Sequence, residues 1–171
     1  MIISNKEQVK RYRISTALFR AFESAPTLRA MKCSPNARYQ KQFRKVQNAL
    51  EEFIMRVPID VLKELSKKFD KLCIEAYVIC PDAIITHPSD VSCLSLLPGA
   101  LRLSKKKLLG LVAHEMAHLY MGVQKSKMTK YHEPEHEDNA DILAAEWGFN
   151  EVFLLSPFPV VESNRKYWPS N

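Results

Sequence analysis

"VAHEMAHLYMG", residues 112–122, decides how the chain is read: His114 and His118 stand four positions apart in a run of apolar and small residues, and Glu115 follows the first directly. On a helix, positions i and i+4 project from one face a turn apart, so both imidazoles can reach the same point. Ser104 is a good N-cap and Gly122 a good C-terminal stop, which predicts a helix from about Lys105 to Met121 with both histidines inside it. Val112, Ala113, Ala117 and Leu119 make that helix semi-buried, and buried imidazoles need partners.

Two neutral imidazoles at this spacing suit zinc. Glu115 points to the side of the pair, where its carboxylate can touch a water on the metal without displacing it and take its proton as the water attacks a carbonyl. A hydrolytic zinc site wants a third protein ligand and one open position. "HLYMGVQ" has no third histidine, which excludes the metzincin arrangement. Further on, "EDNAD" places Glu137 and Asp141 four apart on another expected helix, running from Glu137 to near Gly148 or Asn150. One can ligate the metal while the other accepts the distal N–H of a ligand histidine. His132 and His136 are alternative ligands, and Ala140, Ala144 and Ala145 would let the two helices approach closely.

The pattern changes on the N-terminal side. "CIEAYVIC", "AIITH", "VSCLSLL" and "ALRLS" are short runs rich in β-formers, with a turn dipeptide at Pro98-Gly99; they predict three or four short strands in a small antiparallel or mixed sheet. Before them the chain reads as helical. Residues 5–24 carry Val9, Tyr12, Leu18, Phe19 and Phe22 at helical spacing and end near Pro26. Tyr39, Phe43, Val46, Leu50, Phe53 and Ile54 mark one face of a second helix, capped by Ser34 or Asn36 and ended by Pro58. A third is expected from Asp60 to Leu72. The tail "SPFPVVESNRKYWPSN" should lie as irregular chain over the body.

Composition bounds the rest. At 171 residues, 46% hydrophobic and 26% charged, the chain is long and apolar enough for one core without disulfides, so one domain is expected: a helical part at 1–72, a core at 73–155 and a tail at 156–171. Apolar runs are too short for a signal peptide or a membrane span, so a soluble, cytoplasmic protein with no membrane partner is expected. Cys33, Cys73, Cys80 and Cys93 have no C-x-x-C spacing and read as reduced core or near-core residues. The formal charge of +6 is uneven: residues 1–72 hold 16 Lys and Arg against 7 acids, and residues 73–171 hold 9 against 12. Without a helix-turn-helix, zinc finger or aromatic RNA-binding signature, this reads as solvated helix faces in preference to a nucleic-acid surface.

"HEMAH" followed by "EDNAD", in the pattern Glu-x-x-x-Asp, resembles the gluzincin zinc metallopeptidases, among them thermolysin-like enzymes and CaaX prenyl endopeptidases. The likeness covers about residues 95–150 and implies a zincin-like α+β fold with the sheet packed on the active-site helix. It implies one zinc held by His114, His118 and Glu137, with Glu115 as general base, Asp141 behind His114, and a peptide or protein substrate. It also implies that "ALRLS" is an edge strand pairing with extended substrate. The transmembrane helices and the large C-terminal domain of those enzymes have no counterpart, so an oxyanion donor is sought in Tyr131, His132, Arg165 or Tyr167. Two other readings are an inactive regulatory protein that acts by binding and a protease of DNA-bound proteins resembling the SprT-like zincins.

Overall fold

A computed structural model describes residues 3–76, 92–96, 98–122 and 134–154. The first five helices are α1 (Asn5–Ile14), α2 (Thr16–Ser24), α3 (Pro26–Cys33), α4 (Ala37–Arg56) and α5 (Ile59–Phe69). The apolar pattern of residues 5–24 is divided at Ser15, and Pro26 opens α3 instead of closing the helix before it. Proline suits that place, because the N–H it lacks would have no partner in a first helical turn. The Asn36 side chain accepts from the Arg38 N–H at 2.9 Å and so caps α4, which buries Phe43, Val46, Leu50, Phe53 and Ile54 on one face. Leu72, expected as the last inward residue of α5, begins a strand instead.

That strand, β1 (Leu72–Ala76), pairs in parallel with β2 (Ser92–Leu96), Leu72 opposite Ser92 and Ala76 opposite Leu96. The expected zincin-like α+β fold, with three or four strands in a mostly antiparallel or mixed sheet on the active-site helix, is overturned. Among the described residues the architecture is nearly all helical, with eight α-helices and one two-stranded parallel ribbon. The ribbon's main neighbours are α2, α3 and the short α6 (Pro98–Arg102). "ALRLS" is therefore not an edge strand: its first three residues belong to α6, with Leu101 in the core. Alanine, leucine and arginine are strong helix formers, and a short apolar run cannot be assigned to strand or helix by periodicity alone. "AIITH" and the tail lie outside the described residues. Cys33 is exposed, against the expectation of a near-core thiol.

The histidine-bearing helix, α7 (Lys105–Met121), runs between the Ser104 cap, whose hydroxyl accepts from the Lys107 N–H at 3.3 Å, and Gly122, which takes the left-handed conformation (φ 74°). It packs on α4, α5, α8 (Pro134–Glu146) and a 3-10 helix (Asn150–Leu154). The contact with the 3-10 helix is backbone to backbone at Gly110, where an added methyl group would lie 2.5 Å from the Glu151 carbonyl oxygen. Aromatic rings close the same junction: Phe149 stacks on Phe53 at 5.2 Å, and Trp147 meets Tyr120 edge-on at 5.4 Å.

Cations from the N-terminal helices hold the ends of other elements. Arg11, nearly buried, donates through Nη1 to the carbonyls of Ile54 (2.8 Å) and Val57 (2.7 Å) at the end of α4. Lys45 Nζ donates to the Leu101 and Leu103 carbonyls, and Lys68 Nζ to those of Leu119 and Tyr120. Arg56 reaches the Gly148 carbonyl at 2.7 Å and the Glu151 carboxylate at 2.8 Å. Terminal helix carbonyls have no intrahelical donor and carry the negative end of the helix dipole, so a cation there satisfies both.

Candidate metal centre

Gly110, His114 and His118 form one row of α7, each a turn beyond the last. Glycine at the first position admits the 3-10 helix, and α8 crosses the two histidines. The approach of α8 is close because its inner face is made of Ala140 and Ala144, both fully buried with side chains of a single carbon. Glu137 and Asp141, one turn apart on α8, thereby arrive opposite the imidazoles.

His114 Nε2 lies 3.0 Å from His118 Nε2 and 3.0 Å from Glu137 Oε2, and His118 Nε2 lies 3.5 Å from that same oxygen. The three residues form a group able to hold a metal ion. Tetrahedral zinc with bonds of about 2.0–2.1 Å separates its ligand atoms by about 3.3 Å, so the triangle has the size the ion requires. Asp141 accepts from His114 Nδ1 at 2.7 Å. That contact fixes the tautomer: with the proton on Nδ1, the lone pair of Nε2 faces Glu137 and His118.

The electrostatics expose the tension in this arrangement. Burial works to lower the His114 pKa, but the hydrogen bond and charge of Asp141, with Glu115 and Glu137, outweigh it and raise the pKa. Burial and the neighbouring His114 lower that of His118. For Glu137 burial works upward, yet the two histidines prevail and hold the carboxyl below its ordinary value. Three acceptor atoms at such distances repel unless a proton or a cation lies among them. The metal-free cluster is served by a proton on His114; two neutral imidazoles and a carboxylate carry one negative charge and are suited to a dication. The far nitrogen of His118, Nδ1, is buried with no hydrogen-bond partner among the described residues, so its Nε2 is the nitrogen committed to the cluster.

Glu115 is half-buried on the same turn of α7, and its charge acts on both histidines. Tyr131, His132, Arg165 and Tyr167, sought as oxyanion donors, lie outside the described residues. Lys68 is a residue that sequence reasoning missed: it holds the C-terminal carbonyls of α7 just past His118. Its partners lie some fifty positions away, and a surface lysine at the end of a helix carries no signal of such a role.

No family model, curated protein or solved structure matches the chain at a significant level. Among the described residues, no helix is long and apolar enough to cross a membrane.

Proposed function

We propose that the chain is a zinc-dependent metallopeptidase that hydrolyses peptide bonds in a peptide or protein substrate. The reading rests on one observation: two imidazole nitrogens from successive turns of α7 and a carboxylate oxygen from α8 converge within 3.5 Å of one another. It is supported by the ligand chemistry, which is that of the gluzincins, although the sheet expected with it is absent from the described residues.

His114, His118 and Glu137 would hold the ion. Zinc in such a site supplies Lewis acidity, which polarises a carbonyl and brings the pKa of water toward neutrality. Asp141 keeps His114 in the tautomer that offers Nε2 and makes that nitrogen more basic. Glu115, whose side chain leaves α7 beside the pair, takes the proton of the attacking water and returns it to the leaving amine. The Ala140 and Ala144 contact fixes the separation of the two helices, and with it the ligand triangle.

Elemental analysis of purified protein should find about one zinc per chain, and Glu115→Gln should keep the zinc while abolishing cleavage of any substrate drawn from a peptide library. Protein without zinc after metal-free handling and zinc reconstitution defeats the proposal. Cleavage that survives Glu115→Gln defeats the role given to that residue.

A further inference from the structure

From Ala25 to Leu50 the chain has no acidic residue, yet it has six cations: Arg29, Lys32, Arg38, Lys41, Arg44 and Lys45. This stretch folds as the α3–α4 pair, whose helices pack on one another. Lys45 turns inward to the Leu101 and Leu103 carbonyls. The other five are exposed, and none makes an ion pair among the described residues. Arg38, Lys41 and Arg44 follow one another at three-residue spacing along α4, and Arg29 and Lys32 stand at the same spacing on α3. On α5, by contrast, Lys63 pairs with Asp60 and Lys67 with Glu64, and Lys105 pairs with Glu52, while Lys6, Lys10, Arg13 and Arg20 on α1 and α2 are exposed without an ion pair among the described residues but alternate with Glu7 and Glu23. Of the net charge of +9 on residues 1–72, +6 falls on residues 25–50 and +3 on residues 1–24.

We infer that the α3–α4 surface binds the phosphate backbone of duplex nucleic acid without reading its sequence. The inference is independent of the metal centre. Five cations without ion pairs, carried on two helices that pack on one another with no acidic residue between them in the sequence, answer a dense row of phosphates. The large exposed hydrophobic residues among those described are Val9, Tyr12 and Leu154, none of them on α3 or α4. An anionic membrane surface is held by an apolar face beneath its basic residues, and a protein partner by an apolar or aromatic anchor at the centre of the contact; this surface offers neither. It also lacks the exposed aromatic platform on which single-stranded bases stack, since Tyr39 and Phe43 are turned toward the core.

The test is fluorescence anisotropy of a labelled 20-base-pair DNA of mixed sequence with the full chain, across a range of sodium chloride concentrations. Binding that engages all five cations should give log K against log salt a slope of about −4.5. R38Q/K41Q/R44Q should reduce the slope by about 2.7 and weaken binding at low salt at least tenfold, while R38K/K41R/R44K, which keeps the charge, should restore it. K63Q/K67Q, on the paired cations of α5, should bind as wild type does. The inference is overturned if the duplex does not bind, if K63Q/K67Q loses as much as the triple variant, or if the triple glutamine variant, folded by circular dichroism, binds undiminished. Tighter binding to single-stranded DNA, to phosphatidylserine vesicles or to poly-L-glutamate of matched charge overturns it as well.

Discussion

Replacing Gly110 by alanine tests the contact that seats the 3-10 helix on α7. The added carbon would lie 2.5 Å from the Glu151 carbonyl oxygen, 2.6 Å from its carbonyl carbon and 2.9 Å from the Val152 nitrogen, where ordinary contact begins at 3.4 Å. All three are backbone atoms, so no side chain can swing aside, and the 3-10 helix must retreat by about 0.9 Å in a tightly packed region. Overpacking of this kind costs about 1–3 kcal/mol, and the retreat also loosens Phe149 and Val152, both fully buried. Alanine's better helix propensity returns about 1 kcal/mol. The net loss should be about 0–2 kcal/mol, a fall in Tm of up to about 8 °C for a chain of this size. Calorimetry measures the fall, and hydrogen exchange should locate it, with faster exchange over residues 149–154 than over α4. Gly148→Ala is the contrasting variant: no atom lies within 4 Å, and its cost, about 1–2 kcal/mol, comes from the left-handed backbone (φ 93°). A Gly110→Ala protein as stable as wild type, with unchanged exchange at 149–154, would refute the backbone contact.

Three further outcomes are expected. Asp141→Asn removes the charge from the 2.7 Å contact with His114 and should weaken zinc binding 10- to 100-fold in competition with a chromophoric chelator; unchanged affinity would make that contact incidental. Arg11→Met keeps the bulk but leaves the Ile54 and Val57 carbonyls without their buried donor, at a cost of about 2–4 kcal/mol in urea unfolding. For Glu151, burial works upward, but the Arg56 hydrogen bond and charge prevail and hold the carboxyl below its ordinary 4.5. The folded pKa lies below the unfolded one, so the pair's stabilisation is present above pH 4.5 and is lost as pH falls through the folded value. Glu151→Gln should therefore lose less stability than wild type between pH 7 and pH 3.5, and equal losses in urea midpoints would count against the pair.

Local signals carried α7 and α4 almost whole. Ser104, Gly122 and Asn36 act through bonds to backbone a few residues away, so their meaning is complete in the sequence, as is the one-turn spacing of His114 and His118. The strands were less legible. A five-residue apolar run is compatible with strand or helix, and whether two strands run parallel depends on the path of the chain between them; so "ALRLS" became part of a helix and the expected sheet became a parallel ribbon. The convergence of Glu137 with the histidines needed two helices to meet, and that was decided by the alanines of α8 together with the bare backbone at Gly110. The charge excess was countable from residue types alone, but only the packed chain separates cations spent on helix ends, such as Arg11, Lys45 and Lys68, from those left facing water on α3 and α4. Bonds between near neighbours are written in the order of the residues, whereas contacts across tens of residues exist only once the core has closed.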